Sequence, residues 1–235
     1  MVYQSIHSCL DWLLPQSCLL CKKPVTQSLA LCASCLEQLP VNDHACRRCA
    51  LPLPDTAPPD AVCGQCQRQP PPFDSIFAPW LYAEPLNHLI LQLKRARKLA
   101  AGRLLGQLLA DQVPSHDLPE LILPIPSHPK KLKKNGFNHS GEIARSLSQE
   151  LNLPWAAHLL KKTKDTPGQH GLTRRQRQAN LRRCFALSET PKARSVVLLD
   201  DVVTTGATVR EAALTLKQAE IKEVRVWALA RTPRR

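Results

Sequence analysis

From residue 73 onward the apolar positions alternate between short continuous runs and helical spacings. Ser75–Tyr82 predicts a strand, and Leu121–Ile125 a short buried one. Val196–Leu199 is apolar on both faces and predicts a central strand, and Val224–Ala230 predicts a last strand. Between these, Leu86, Leu89, Ile90 and Leu93 recur at helical spacing, as do Leu104, Leu105, Leu108 and Leu109. Ser140–Leu151 predicts a helix with Ile143, Ala144, Leu147 and Leu151 on one face, and Thr208–Ala219 one with Val209, Ala212, Ala213 and Leu216 inward. Strands alternating with helices predict an α/β fold with a parallel sheet flanked by helices. Residues 1–72 carry no such periodicity. Only Val2, Ile6, Leu10, Leu13 and Leu14 suggest a short amphipathic helix, with Cys9 packed into it.

Composition sharpens the division. The chain has 235 residues, 43% hydrophobic, with a formal net charge of +13, which excludes a wholly disordered chain. Of the 32 basic residues 27 lie in residues 73–235, with 14 of the 19 acids, so the whole net charge belongs there and residues 1–72 are neutral. Nine of the ten cysteines and ten of the 21 prolines lie in residues 1–72. Two modules are expected, 1–72 and 73–235. The stiff run Gln67–Phe73, with Pro70-Pro71-Pro72, would join them at a preferred orientation. The first residues lack the basic start of a secretory signal, and no apolar run reaches the roughly 18–20 residues of a membrane span. A cytoplasmic protein is expected, in which cysteine pairs read as metal ligands before disulfides.

The cysteines form four C-x-x-C pairs: Cys18/Cys21, Cys32/Cys35, Cys46/Cys49 and Cys63/Cys66. Two intervening residues let one tight turn aim both thiolates at a single metal, and two turns complete a tetrahedron. Four pairs make two structural Zn²⁺ sites with no open coordination position. Sequential pairing is the simplest; a crossed pairing (first with third, second with fourth) fits the spacing as well. Zinc binding, at roughly 10–16 kcal/mol of apparent free energy per site, would supply the folding energy that this Pro-rich segment lacks.

After Val196–Leu199 come Asp200-Asp201, then Thr204-Thr205-Gly206-Ala207-Thr208 at the start of a helix. Ligands of parallel α/β sheets bind beyond the carboxyl ends of the strands. Two adjacent carboxylates there call for a cation or hydroxyl donors. The Thr-rich loop offers backbone N–H groups, hydroxyls and a helix N-terminus to an anion, and Gly206 permits close approach. Together they suit a ligand carrying both a phosphate and a diol.

The segment VVLLDDVVTTGAT resembles the phosphoribosyl pyrophosphate (PRPP) signature of type I phosphoribosyltransferases. With the cysteine pairs, PPPFDSIFAPWLY, LNHLILQLKRARK and LPIPSHPKKLKKNGFNHS in the same order, the chain resembles the ComF (GntX) family of competence-related DNA-utilisation proteins. It departs from that pattern at LKRARK, where relatives carry Lys-Tyr-x-Gly, and at His139, where Gln is common. The resemblance implies a type I phosphoribosyltransferase fold with an N-terminal double zinc ribbon. It implies that Asp200 and Asp201 hold the ribose hydroxyls, the catalytic position. Thr204, Thr205, Gly206, Ala207 and Thr208 would hold the 5′-phosphate, Pro126, Ser127 and His128 the pyrophosphate, and Mg²⁺ would enter with PRPP. Residues 161–183 carry eight bases and one acid and resemble the mobile active-site loop of such enzymes; Gln169, Arg174, Arg177 and Asn180 are the candidates within it.

The implied role is PRPP binding in DNA uptake and utilisation, with single-stranded DNA or a competence DNA helicase as partner. The basic C-terminal module suits either pyrophosphate or a nucleic acid backbone. Stacking aromatics near the basic stretches are limited to Phe137, Trp155 and Phe185. Alternatives are an active Mg²⁺-dependent transferase on an unknown acceptor, for which no nucleobase pocket is legible, and a regulator that senses PRPP without touching DNA.

Overall fold

The computed structural model describes residues 16–26, 28–115, 118–164 and 183–233. The N-terminal stretch with Cys9, and the loop candidates Gln169, Arg174, Arg177 and Asn180, lie outside the described residues. The N-terminal part holds β1 (Gln16–Ser17), β2 (Pro24–Val25), α1 (Ala33–Glu37) and α2 (Gly64–Arg68). Then follow β3 (Ser75–Phe77), β4 (Trp80–Leu81), α3 (Leu86–Lys94), α4 (Leu99–Gln112), β5 (Leu121–Pro124), α5 (Pro129–Asn135) and α6 (His139–Leu151). The chain closes with β6 (Leu160–Lys162), β7 (Phe185–Leu187), β8 (Ser195–Val203), α7 (Ala207–Gln218) and β9 (Glu223–Arg231).

The central sheet is parallel in the order β3-β9-β8-β5, with β4 also pairing β9. It is the α/β architecture that the apolar pattern predicts. Successive side chains of a strand point to opposite faces, and both faces of this sheet are covered. Val197, Leu199 and Leu229 join α3, α4 and α6 in one core. Val196, Leu198, Val224 and Val226 join α7, through Val209, Ala212, Ala213 and Leu216, in the other. The pair β6–β7 is antiparallel and lies outside this sheet.

Two strands differ from the expectation. Ser75–Tyr82 is split into β3 and β4, because Pro79 between them has no N–H to give to a ladder; its carbonyl instead accepts from the Asn42 N–H at 2.9 Å. The strand expected over Val196–Leu199 continues to Val203, because β9 pairs alongside it as far as Arg231. Asp200 and Asp201 therefore lie within the strand rather than after it.

The cysteine-rich segment packs directly onto the sheet. The Leu81 N–H donates to the Pro40 carbonyl at 2.7 Å, and the Ile76 N–H to that of Arg48 at 3.0 Å. Asn42 Nδ2 donates to the carbonyls of Ala50 and Ala78, and Gln92 Nε2 to that of Leu19. Leu31 and Leu39 enter the same core as Leu89 and Leu105. The orientation of the two parts is thus held by these bonds and this shared core.

Helices α4 and α6 meet at Gly106. A Cβ there would lie 2.5 Å from Ser146 Cβ and 2.9 Å from the Ile143 carbonyl oxygen. Gly106→Ala is expected to destabilise the chain by about 1–3 kcal/mol, as overpacking of a tight contact does; urea unfolding of the intact protein measures it.

Candidate metal and anion sites

The eight paired cysteines gather sequentially. Cys18, Cys21, Cys32 and Cys35 form one cluster and Cys46, Cys49, Cys63 and Cys66 the other, the sulfurs of each within 4.8 Å of one another. The crossed pairing is excluded. Sulfur–sulfur distances of 3.6 Å (Cys21–Cys32) and 3.7 Å (Cys49–Cys63) match the edge of about 3.8 Å that a tetrahedron with zinc–sulfur bonds near 2.3 Å requires. Four thiols this close do not ionise alike without a cation. Burial pushes Cys35 up to about 12 and Cys49 up to about 11, whereas the Ser34 hydroxyl holds Cys32 down at about 6. A divalent, thiophilic ion in the centre removes that conflict. The donor set fits Zn²⁺ and leaves no ligand position open.

The second site lies at the carboxyl end of the sheet. Because β5 pairs β8 only as far as Pro124 with Leu199, the turn Ile125–His128 leaves the sheet beside Asp200 and Asp201. Asp201 is 7% exposed. Both its oxygens accept from Lys94 Nζ, the last residue of α3, at 2.8 Å. Burial pulls the Lys94 ammonium down, but Asp201 and then Asp200 outweigh it and its pKa is raised overall. Asp200 is half-buried; its Oδ1 accepts from the Asp201 N–H at 2.9 Å and from Ser140 Oγ at 3.3 Å. Desolvation, then the charge of Asp201, push Asp200 up to about 7. One carboxylate is thus neutralised by Lys94 while its neighbour awaits a cation or hydroxyl donors.

Lys94, Pro126, Ser127, Asn138, His139, Asp200 and Asp201 line one cavity of about 390 Å³. Asn138 braces its wall: Nδ2 donates to the Ile125 carbonyl at 3.0 Å, and Oδ1 accepts from Ser127 Oγ at 3.2 Å. His139 is half-buried, its pKa lowered by desolvation, and Nε2 has no hydrogen-bond partner among the described residues. His128 turns away from this cavity. Its Nδ1 accepts from the Lys130 N–H at 3.3 Å and caps α5. It lines a larger adjoining cavity of about 830 Å³ with Phe137, Trp155, Leu160, Lys161 and Lys162, the two cavities sharing Pro126, Ser127 and Asn138.

Thr204–Gly206 joins β8 to α7, whose first residues are Ala207 and Thr208. Gly206 caps the helix at φ +76°, a left-handed conformation that L side chains rarely adopt. Thr204, Gly206, Ala207 and Thr208 line a small cleft that also includes Asp200, so the strand-end acid touches both spaces. Thr205 Oγ1 instead accepts from the Ala207 N–H at 3.3 Å. The sequence marks Asp200, Asp201, Thr204–Thr208 and Pro126–His128 as candidates. Asn138, Ser140 and Arg231 are not among them. The signal for Arg231 was present as a base directly after the apolar run Val226–Ala230.

A cysteine-rich double knuckle on a parallel sheet, with paired acids and a Thr-rich loop at its carboxyl end, defines a phosphoribosyltransferase-like protein carrying a double zinc ribbon. The double zinc ribbon domain matches residues 9–67, and the phosphoribosyl transferase domain residues 133–235. A "DNA utilization protein YhgH" of Shigella flexneri is 33% identical over 225 residues, spanning 93% of this chain and 98% of its own. "Competence protein F" of Haemophilus influenzae is 32% identical over 210 residues, spanning 86% of this chain and 90% of its own. A solved allosteric regulatory enzyme of purine biosynthesis is a slighter likeness: 18% identity, TM-score 0.37, over 55% of this chain and 25% of that one. The chain belongs to the ComF family of competence-related, phosphoribosyltransferase-like proteins. No helix among the described residues is long and apolar enough to cross a membrane.

The raised Asp200 pKa has a pH signature. The folded value, about 7, lies above the ordinary 3.8. The fold therefore holds the proton that the unfolded chain releases, and this contribution to stability is full below about pH 4 and lost as pH rises toward 7. Relative to Asp200→Asn, the wild-type melting temperature is expected to fall between pH 5 and 7 and to level off above it. A constant difference across that range in scanning calorimetry would refute the shift.

Proposed function

We propose that the chain binds Mg²⁺-PRPP at the carboxyl end of its sheet and acts in the handling of DNA. The observation that carries this reading is the meeting of Asp200, Asp201, Lys94 and the Pro126–Ser127 turn around one cavity, with the Thr204–Thr208 loop reached through Asp200. The acids suit the two ribose hydroxyls. The N–H groups and hydroxyls of Thr204, Thr205, Gly206, Ala207 and Thr208 suit the 5′-phosphate. The Pro126–Ser127 turn suits the pyrophosphate, and His128 and the bases around Gln169, Arg174, Arg177 and Asn180 are further candidate partners for it. Mg²⁺ enters with the pyrophosphate; a half-buried carboxylate without a cation of its own is a hard oxygen donor of the kind it takes. The zinc module (1–72) is structural and the transferase-like module (73–235) carries the ligand.

The relatives' names point to DNA, and the C-terminal module holds the whole net charge of +13. Single-stranded DNA, or the helicase that moves it in the cytoplasm, is the partner that this charge suits. Where PRPP and DNA share the basic stretch, PRPP weakens DNA binding.

A second reading is an active transferase, favoured by the 830 Å³ cavity beside the Pro126–Ser127 turn, where an acceptor has room among Phe137, Trp155 and Leu160. Displacement of pyrophosphate from the anomeric carbon by a nitrogen nucleophile needs little beyond placement and charge stabilisation.

Titration of PRPP with Mg²⁺ into zinc-replete protein by calorimetry is expected to show saturable binding, lost in Asp200→Ala/Asp201→Ala. Absence of heat in the wild type would overturn the ligand assignment. DNA handling falls if the purified protein shows no salt-sensitive binding to single-stranded DNA and deletion leaves DNA uptake normal. The transferase reading falls if no base or amine offered releases pyrophosphate.

A further inference from the structure

Arg231 ends β9 and is 5% exposed. Its Nε donates to the Cys49 carbonyl at 2.9 Å. Its Nη1 donates to the carbonyls of Val203 at 2.8 Å and Thr232 at 3.1 Å, and also reaches that of Thr204. Cys49 belongs to the second cysteine cluster, and Val203 and Thr204 are where β8 becomes the anion loop. One buried guanidinium therefore ties the backbone of a metal knuckle to the root of that loop. Cys49, Cys66, Thr205, Gly206 and Arg231 border the same small space, so knuckle and loop are neighbours.

The geometry also aims the loop. The ladder between β8 and β9 closes with the Thr232 N–H donating to the Val203 carbonyl at 3.0 Å. The guanidinium donates to that same carbonyl and extends the pattern one residue further, to the carbonyl of Thr204. In a trans peptide the C=O and N–H point in opposite directions. Turning the carbonyls of Val203 and Thr204 toward Arg231 turns the N–H groups of Thr204 and Thr205 away from the knuckle. These are the donors that an anion in the loop would need. A lysine has a single donor centre and cannot span the carbonyls on both sides as the fork does.

We propose that Arg231 is a positioning residue for the Thr204–Thr208 loop, and that the second zinc knuckle sets the shape of that loop through it. The inference rests on reading the loop as the 5′-phosphate site. It makes the zinc module part of the ligand site, because a metal held by the Cys49 sulfur would fix the backbone whose carbonyl braces Arg231.

The test uses the full chain with Arg231→Lys and Arg231→Gln. Three quantities are read: zinc per chain, amide hydrogen exchange across residues 203–208, and calorimetric affinity for ribose 5-phosphate. Both variants are expected to keep two zinc ions. Amide exchange at Ala207, whose N–H the loop holds on Thr205 Oγ1, should rise, and affinity should fall, by about tenfold or more, the weight of lost charge-assisted hydrogen bonds. Protection in Leu121–Pro124 should stay unchanged, which a general loss of stability would not permit. Wild-type exchange in the loop overturns the proposal. If wild-type protein binds no ribose 5-phosphate, the phosphate reading fails, and the exchange data alone still decide the positioning role. If neither variant folds, the wild type is loaded with cadmium, whose longer bonds to sulfur displace the knuckle. Amide chemical shifts should then move at Thr204–Gly206 more than at Leu121–Pro124, and unmoved loop shifts refute the coupling.

Discussion

The parallel pairing of Ser195–Val203 with Glu223–Arg231 is the constraint on which the rest of this structure depends. Its register sets Val203 beside Arg231 and Asp200 beside Ala228. Everything with chemistry to offer follows from where this pairing stops. The aspartates ride on its last residues, the Thr-rich loop begins at its end, and Arg231 is left pointing at that loop from the neighbouring strand. On one side β5 ends opposite Leu199, whereas on the other β3 and then β4 flank β9 as far as Arg231. The end of β8 therefore projects beyond β5, and the turn after β5 lies beside it.

Charge at the strand end is held in tension. Asp201 is buried and depends on Lys94, which arrives from a helix 107 residues earlier in the chain. Such a pair contributes little net stability, but removing one partner from a buried pair costs about 3–5 kcal/mol. With Lys94 engaged by both oxygens of Asp201, Asp200 is pushed up to about 7 by desolvation and then by its like-charged neighbour. A site poised in this way gains electrostatically when a cation or a set of hydroxyls arrives. The same cavity holds the half-buried His139, whose pKa desolvation lowers.

The zinc ribbons contribute more than a separate appendage would. The first cluster brings Leu31 and Leu39 into the core under the sheet, while the second keeps a small core of its own around Leu51 and Val62. Zinc bound to such four-thiolate clusters contributes folding free energy to the segment that carries them. Through Arg231 the second cluster also contacts the Thr-rich loop.

Much of this could be read from the residues. Both-face apolar runs such as Val196–Leu199 and Val224–Ala230 determine a parallel sheet, because only a sheet covered by helices buries both faces. Four C-x-x-C pairs determine two four-thiolate sites, because two-residue spacing places two sulfurs on one metal. Asp-Asp followed by a Thr-rich loop and a helix sets acids, hydroxyls and helix N–H groups at one end of the sheet, because strand ends and helix N-termini have fixed polarity. These are local consequences of the backbone, and local sequence carries them. What the tertiary structure decided was which distant groups meet there. Sequential rather than crossed cysteine pairing, Lys94 on Asp201, Asn138 bracing the turn and Arg231 reaching from β9 to Cys49 and Thr204 all join residues far apart in the chain. Such contacts depend on strand register and helix packing, which are set by the whole core at once, and no short stretch of residues encodes them.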